Sequence, residues 1–293
     1  MSHLPSAVIG RFAPSPTGPL HLGSLYTALA SFLEARSQQG QWLLRIDDLD
    51  IARNVHGAND AIFSALTAFG LHWDGPVVYQ SQRLASYQHY LAQLADRNLI
   101  YRCTCSRKIL TSDIYPGYCR QRPIQSDLPY AWRVKTDERE ICFHDELQGK
   151  ISHRLAQQDG DFILQRRDHI IAYQFAVVID DYLQHVNQVV RGYDLLDCTP
   201  RQIYLQQLLG LPTPRYMHVP IIVDPNGNKL SKQTYATAVD LTQPENTLFN
   251  LLTLLKQNPP RQLLGASVNE ILNWAIVNWH PNALKRCREV QIN

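Results

Sequence analysis

Three groups of side chains in this sequence have the types and spacing to do chemistry. The first is Arg11-Phe12-Ala13-Pro14-Ser15-Pro16-Thr17-Gly18-Pro19-Leu20-His21-Leu22-Gly23-Ser24, which follows a short apolar run and opens into a helical pattern. A helix N-terminus has unpaired backbone N–H groups and a partial positive charge, so it suits phosphate. Gly23 lets a phosphate or an adenine approach the backbone, and His21 can donate a hydrogen bond to a phosphoryl oxygen. On its own, His-x-Gly-Ser is more often a strand–turn–helix with a surface histidine. The second group is Lys229-Leu230-Ser231-Lys232-Gln233, far downstream and just after the turn Asp224-Pro225-Asn226-Gly227. Two lysines on a loop can hold the charge that builds on a pentavalent phosphorus; alone, such a pentapeptide is usually a solvated charged loop. The third group is Cys103, Cys105 and Cys119, three of six cysteines within seventeen positions; Cys142, Cys198 and Cys287 stand apart.

Composition sets limits on these readings. Hydrophobic residues make up 45% and charged residues 18% of 293 residues, enough for a large domain with an insertion or for two ordinary domains. The net charge of +2, from 28 basic and 26 acidic side chains, neither points to a nucleic-acid partner nor excludes one. No stretch reaches the roughly 18 apolar residues of a membrane span. The start, MSHLPSAVIGRFAP, has no charged segment followed by a long apolar one, so a cytoplasmic chain is expected. Without an export signal, the cysteine spacing points to a metal rather than to disulfides.

The elements that must position these groups read as follows. Val8 to Phe12 is a strand, Gly23 to Arg36 a helix ended by Gly40, and Trp42 to Ile46 a second strand closing at Asp47, Asp48 and Asp50. Asn59 to Phe69 is a helix, and this βαβα order predicts an open parallel sheet. Gln82 to Arg97 and Leu195 to Leu209 read as helices. Phe162 to Gln165 and Ala176 to Ile179 are β-like or buried apolar runs, and His218 to Val223 is a strand. Residues 100–160 change character, with many Cys, Tyr, Arg and turn residues and a strand-like Tyr130 to Lys135. They are taken as an insertion. The expected organisation is 1–99 and 161–235 as two halves of a catalytic domain, 100–160 as the insertion, and 236–293 as a short helical region.

Taken together, His21-Leu22-Gly23-Ser24 and Lys229-Leu230-Ser231-Lys232-Gln233 resemble the HIGH and KMSKS signatures of class I aminoacyl-tRNA synthetases. Arg11 to Gly18, Leu44-Arg45-Ile46-Asp47-Asp48, Phe175 to Asp181 and Val190-Arg191-Gly192-Tyr193-Asp194 narrow the resemblance to the glutamyl-tRNA synthetase group, from about residue 8 to 235. Only 60 residues follow Gln233, too few for an anticodon-reading region. That shortness, the Cys-x-Cys pair and the Gln after the second lysine resemble the glutamyl-Q tRNA(Asp) synthetase family.

The resemblance implies a Rossmann-like, doubly wound α/β catalytic domain with a zinc-bearing insertion. It implies activation of L-glutamate by ATP without tRNA, then transfer of the glutamyl group to the queuosine base at the wobble position of tRNA(Asp). His21, Lys229 and Lys232 would be catalytic, with His21, Gly23, Ser24 and Lys232 at the nucleotide and Mg²⁺ accompanying ATP on phosphate oxygens and water. Arg11, Phe12, Ala13, Pro14, Ser15, Asp47, Tyr173 and Arg191 match glutamate-binding positions. Arg11 and Arg191 suit carboxylates because a guanidinium binds them bidentately, and Asp47 would hold the ammonium. The family's usual residue at that place is Glu; Asp sets the carboxylate about 1.5 Å farther back, for which a water bridge, a shifted pose or Asp48 would compensate. Cys103, Cys105, Tyr115 and Cys119 match a structural zinc site. From the residues alone, the fourth ligand is open among Tyr115, Tyr118, Asp113, Cys142 and water, since no histidine lies between residues 90 and 142. A monomer is expected. Competing readings are a truncated glutamyl-tRNA synthetase charging a tRNA 3′ end, a catalytically silent tRNA-binding paralogue, and another nucleotidyl transferase of the superfamily.

Overall fold

The computed structural model describes residues 7–106, 114–122, 128–225, 227 and 238–292. Its strands and helices are, in chain order, β1 (Ile9–Phe12), α1 (Leu22–Ser37), β2 (Gln41–Ile46), α2 (Ala58–Ala68), β3 (Val78–Tyr79), α3 (Leu84–Asp96), β4 (Ile100–Cys103), β5 (Ala131–Val134), β6 (Glu140–Asp145), β7 (Gly149–Arg154), α4 (Leu155–Gln158), β8 (Ile163–Gln165), α5 (Tyr173–Leu183), β9 (Gln188–Gly192), α6 (Thr199–Leu209), β10 (Arg215–Val219), β11 (Ile221–Val223), α7 (Pro244–Leu254), α8 (Val268–Val277) and β12 (Glu289–Gln291).

The strands pair in the orders β1-β2-β3 and β7-β6-β10-β9, parallel throughout except for the β6–β7 hairpin. Asn187 joins the two sets: its backbone N–H donates to Ile9 O at 3.1 Å and its Oδ1 accepts from Ile9 N–H at 2.8 Å, which sets β1 beside β9. The sheet is buried on both faces. Along β2, Trp42 and Leu44 enter a core with Leu25 and Leu29 of α1, Leu251 of α7 and Ile271 of α8, while Leu43 packs against the other core. Along β9, Val190 joins the first core and Val189 the second, with Leu91 of α3, Val178 of α5 and Ile203 of α6. Alternate side chains of one strand thus serve opposite layers of helices.

Two expectations are corrected and a third is decided between its alternatives. Ala176 to Ile179 is the buried apolar run rather than a strand: it lies inside α5, where Phe175 to Asp181 are all buried, so no solvent face remains to mark a helical period. His218 to Val223 is two strands: Pro220 has no N–H to donate, and β10 pairs with β9 and β6 whereas β11 pairs with β12. Gly40 does not itself end α1; Gln39 takes the left-handed turn at φ 56°, and Gly40 is needed because a Cβ there would lie 2.4 Å from Val8 O.

Residues 100–160 divide between two sheets. β4 and β5 pair with β8 in a small antiparallel sheet, whereas β6 joins the parallel sheet at β10. The C-terminal helices share the first core with α1, and Trp279 Nε1–H donates to Glu34 Oε2 at 2.7 Å. No described helix is long and apolar enough to cross a membrane.

Candidate active site

β1 and β9 are neighbours, but the chain leaves them in opposite directions across the sheet. At such a reversal the loops after the strands diverge and leave a crevice at the strands' carboxyl ends. A cavity of about 630 Å³ lies there. Its walls include Arg11 to Ser15 from the end of β1, His21, Gly23 and Ser24 from the start of α1, Asp47 after β2, Tyr173 at the start of α5 and Arg191 from β9. The sequence expected all of these at one site, and the fold brings them together. Lys229 and Lys232 lie outside the described residues.

His21 caps α1. Its Nδ1 accepts from Ser24 N–H at 3.2 Å, and Nε2 lies 2.9 Å from Ser24 Oγ. The cap holds the imidazole over the helix start, against Ser24. The helix's positive end therefore faces the same cavity as the arginines.

The floor of the cavity is a buried charge network. Arg11 Nε–H donates to Asp181 Oδ1 at 3.2 Å, and Arg45 Nη1–H donates to the same oxygen at 2.7 Å. Arg45 also donates through Nε–H to Asp47 Oδ1 at 2.8 Å. Asp180, next in line, accepts from Gln80 Nε2–H and Tyr87 Oη–H at 2.8 Å each and from Arg83 at 3.2 Å. Burial pushes the Asp181 carboxyl up, yet Arg11 and Arg45 overcome it and hold it below the usual range. At Asp47 burial wins against Arg45, and the carboxyl is raised to about 6. Asp48 is committed elsewhere, accepting from Ser81 N–H at 2.8 Å and Ser81 Oγ–H at 2.6 Å.

Arg191 is buried and anchored by neutral groups. Nε–H donates to His218 Nε2 at 3.0 Å, and Nη2–H to Thr199 Oγ1 at 2.8 Å. Nη1 reaches the Tyr173 hydroxyl at 3.4 Å at the cavity wall.

The cysteine group is a separate site. The three Sγ atoms of Cys103, Cys105 and Cys119 lie within 4.8 Å of one another, and Tyr115 Oη is 3.4 Å from both Cys103 Sγ and Cys105 Sγ. Three thiols and a phenol converging on one point are a donor set that a tetrahedral zinc ion fits. Cys142 is exposed on β6 beside Ser152, Tyr118 is exposed, and Asp113 lies outside the described residues. The cluster is built on Asp161, which accepts from Tyr101 Oη–H at 2.5 Å and Arg120 Nε–H at 2.6 Å. Arg133 stacks over the Tyr115 ring at 4.0 Å.

Sequence reading gave no role to Arg45, Asp181, His218 or Asp145. An arginine inside the apolar run Gln41–Ile46 was the available signal for Arg45, which proves fully buried, and a histidine in an apolar strand the one for His218. Nothing local marks Asp145, which sits 73 residues before its partner.

Residues 7–113 and 119–272 match the family model of class I tRNA synthetases (E and Q), catalytic domain. A glutamyl-Q tRNA(Asp) synthetase of Ectopseudomonas mendocina is 48% identical over 285 residues, 97% of both chains. The protein of that name from Pseudomonas aeruginosa is 46% identical, over 96% of this chain and 97% of the other. Among solved structures, a glutamate tRNA ligase from Elizabethkingia meningosepticum, in complex with its amino acid, superposes with a TM-score of 0.83 at 25% identity. The match covers 98% of this chain and 67% of that one.

Proposed function

Because this chain, a ligase, belongs to the class I tRNA synthetase family for glutamate and glutamine, we propose that it activates L-glutamate with ATP and passes the glutamyl group to queuosine in tRNA(Asp). The observation that carries the reading is the convergence of two buried arginines, Arg11 and Arg191, with Asp47 and the capped start of α1 in one cavity. The arginines suit the carboxylates of an acidic amino acid. Asp47 suits its ammonium, and the helix start suits the phosphates of ATP with Mg²⁺.

In the first step a glutamate carboxylate oxygen attacks the α-phosphorus of ATP and pyrophosphate leaves. The nucleophile is already ionised, so no general base is needed, and positioning with charge stabilisation does the work. His21 orients the triphosphate, and Lys229 and Lys232 take up charge that develops on it. In the second step a nucleophile on the queuosine base takes the acyl group and AMP leaves. The acceptor assignment draws support from the relatives' names.

Zinc would be held by Cys103, Cys105, Cys119 and Tyr115. Bound there it would supply a cross-link tying Tyr115 and Cys119 to the end of β4, and none of these residues lines the cavity. The proposed setting is the bacterial cytoplasm.

The test is incubation with labelled glutamate, ATP and Mg²⁺ plus total tRNA from queuosine-containing or queuosine-lacking cells. Label only on queuosine-containing tRNA is expected. Equal labelling of both pools would replace this reading with a shortened glutamyl-tRNA synthetase that charges 3′ ends.

A further inference from the structure

Arg191 enters the cavity from β9, and besides Thr199 of α6 it is held from two other strands. Its Nε–H donates to His218 Nε2 on β10 at 3.0 Å, and Nδ1 of that imidazole lies 2.6 Å from Asp145 Oδ2 on β6. Arg191 is 4% exposed, and His218 and Asp145 are fully buried. Asp145 is fixed in turn by the backbone N–H groups of Leu147, Gln148 and His218. An arginine can only donate, so the nitrogen facing it must be unprotonated. The ring proton therefore sits on Nδ1 and is donated to Asp145, and one tautomer and one ring orientation satisfy both neighbours. Burial pushes the His218 pKa down, the bond to Asp145 opposes this, and the positive charge of Arg191 adds to the depression. The imidazole is neutral at physiological pH.

The two cavity arginines differ in what anchors them. Arg11 donates to a carboxylate, Asp181, which Arg45 also uses. The hydrogen-bond partners of Arg191 among the described residues are an imidazole, two hydroxyls and a carbonyl, all neutral. A carboxylate in place of His218 would anchor the guanidinium equally well and cancel its charge. A neutral imidazole anchors it and leaves the charge for a ligand, with the carboxylate of Asp145 one ring farther off.

We propose that His218, oriented by Asp145, is a positioning residue that aims Arg191 at the substrate carboxylate and keeps its charge uncompensated, favouring an anionic side chain over a neutral amide. This rests on the reading of the cavity as a glutamate-activating site. The test is ATP–pyrophosphate exchange by the full-length protein, with glutamate, glutamine and ATP varied separately. Glutamate-dependent exchange by the wild type is the control for the underlying reading; without it the glutamate site itself falls, whatever the variants do. Given that exchange, His218→Leu is expected to raise the KM for glutamate roughly tenfold or more. The KM for ATP stays constant and the preference for glutamate over glutamine narrows. His218→Gln, whose amide offers one acceptor and one donor, restores most of the KM and of the preference. An unchanged glutamate KM in His218→Leu, or a parallel rise for ATP, overturns the proposal. If His218→Leu does not fold, nitrogen NMR of histidine-labelled wild type decides, the resonance being identified by its loss in His218→Gln. A neutral Nδ1–H imidazole near neutral pH is expected, and an imidazolium or an Nε2–H tautomer overturns it.

Discussion

Asp47 and Asp181 stand on the same arginine and titrate in opposite directions. Arg45 gives each of them one hydrogen bond, but Asp181 has Arg11 as well, and that second cation reverses the effect of burial. Arg11 acts on Asp47 only at a distance, without a hydrogen bond, and the charge of Asp180 works against it, so burial raises Asp47 to about 6. Its native pKa lies above the unfolded value of about 3.9, so between those pH values the native state binds more protons than the unfolded one. The group's contribution to stability is present at low pH and is lost as pH rises through about 6. Binding an ammonium requires the opposite, ionised form. The KM for glutamate is therefore expected to climb as pH falls below about 6, approaching tenfold per unit. Asp47→Asn should bind glutamate weakly at every pH and lose that dependence. A wild-type KM that is flat from pH 5 to pH 7 in pyrophosphate exchange would remove Asp47 from the ammonium site.

At the scale of elements, backbone constraints decide where side chains point. Pro220 separates β10 from β11, so β10 ends with Val219 opposite Gly192 while β11 turns to β12. This leaves His218 within β10, level with Arg191 on β9. The segment bearing Tyr115 depends on Gly160. That residue forms a parallel β-bridge with Tyr115, has φ 65°, and a Cβ on it would lie 2.3 Å from Tyr115 O, which accepts from Asp161 N–H. Gly160→Ala must therefore move Tyr115, and it adds the strain of a left-handed alanine. A loss of about 2 kcal/mol or more is expected, seen as a lower melting temperature together with reduced zinc per chain. Full zinc content and an unchanged melting temperature would show that Tyr115 is not held as described.

At the scale of the molecule, the cysteine cluster and the cavity are built on different sheets. The cluster hangs on β4 and Asp161, whereas the cavity draws its walls from β1, α1, α5 and β9. Yet β6, from the same stretch of sequence as the cluster, belongs to the parallel sheet and carries Asp145. Stripping the proposed zinc with a chelator under reducing conditions is therefore expected to make Cys105 and Cys119 reactive to thiol reagents while glutamate-dependent pyrophosphate exchange continues. Loss of exchange in step with zinc would mean that disorder there spreads through β6 to Arg191.

Much was legible in the residues. Helix and strand periodicity placed β1, α1, β2 and α2 nearly to their ends. The family resemblance marks Arg11 to Ser15, His21, Gly23, Ser24, Asp47, Tyr173 and Arg191, and the fold brings them to one crevice. The signal from Arg11 to Ser24 is local, because a strand–turn–helix with a histidine cap is encoded within a few residues, whereas Asp47, Tyr173 and Arg191 follow from the family resemblance. What the sequence could not show is long-range or fully buried. The segment Phe175 to Asp181 hides its helical period because every face is covered. The sharing of Asp181 by Arg11 and Arg45, and the line from Asp145 through His218 to Arg191, join residues far apart in the chain. Their charges and tautomers depend on desolvation and on partners that only the packed sheet provides. The sequence, through its motifs and the family they resemble, nominated the groups proposed to meet the substrate, and tertiary structure decided which of them keep their charge.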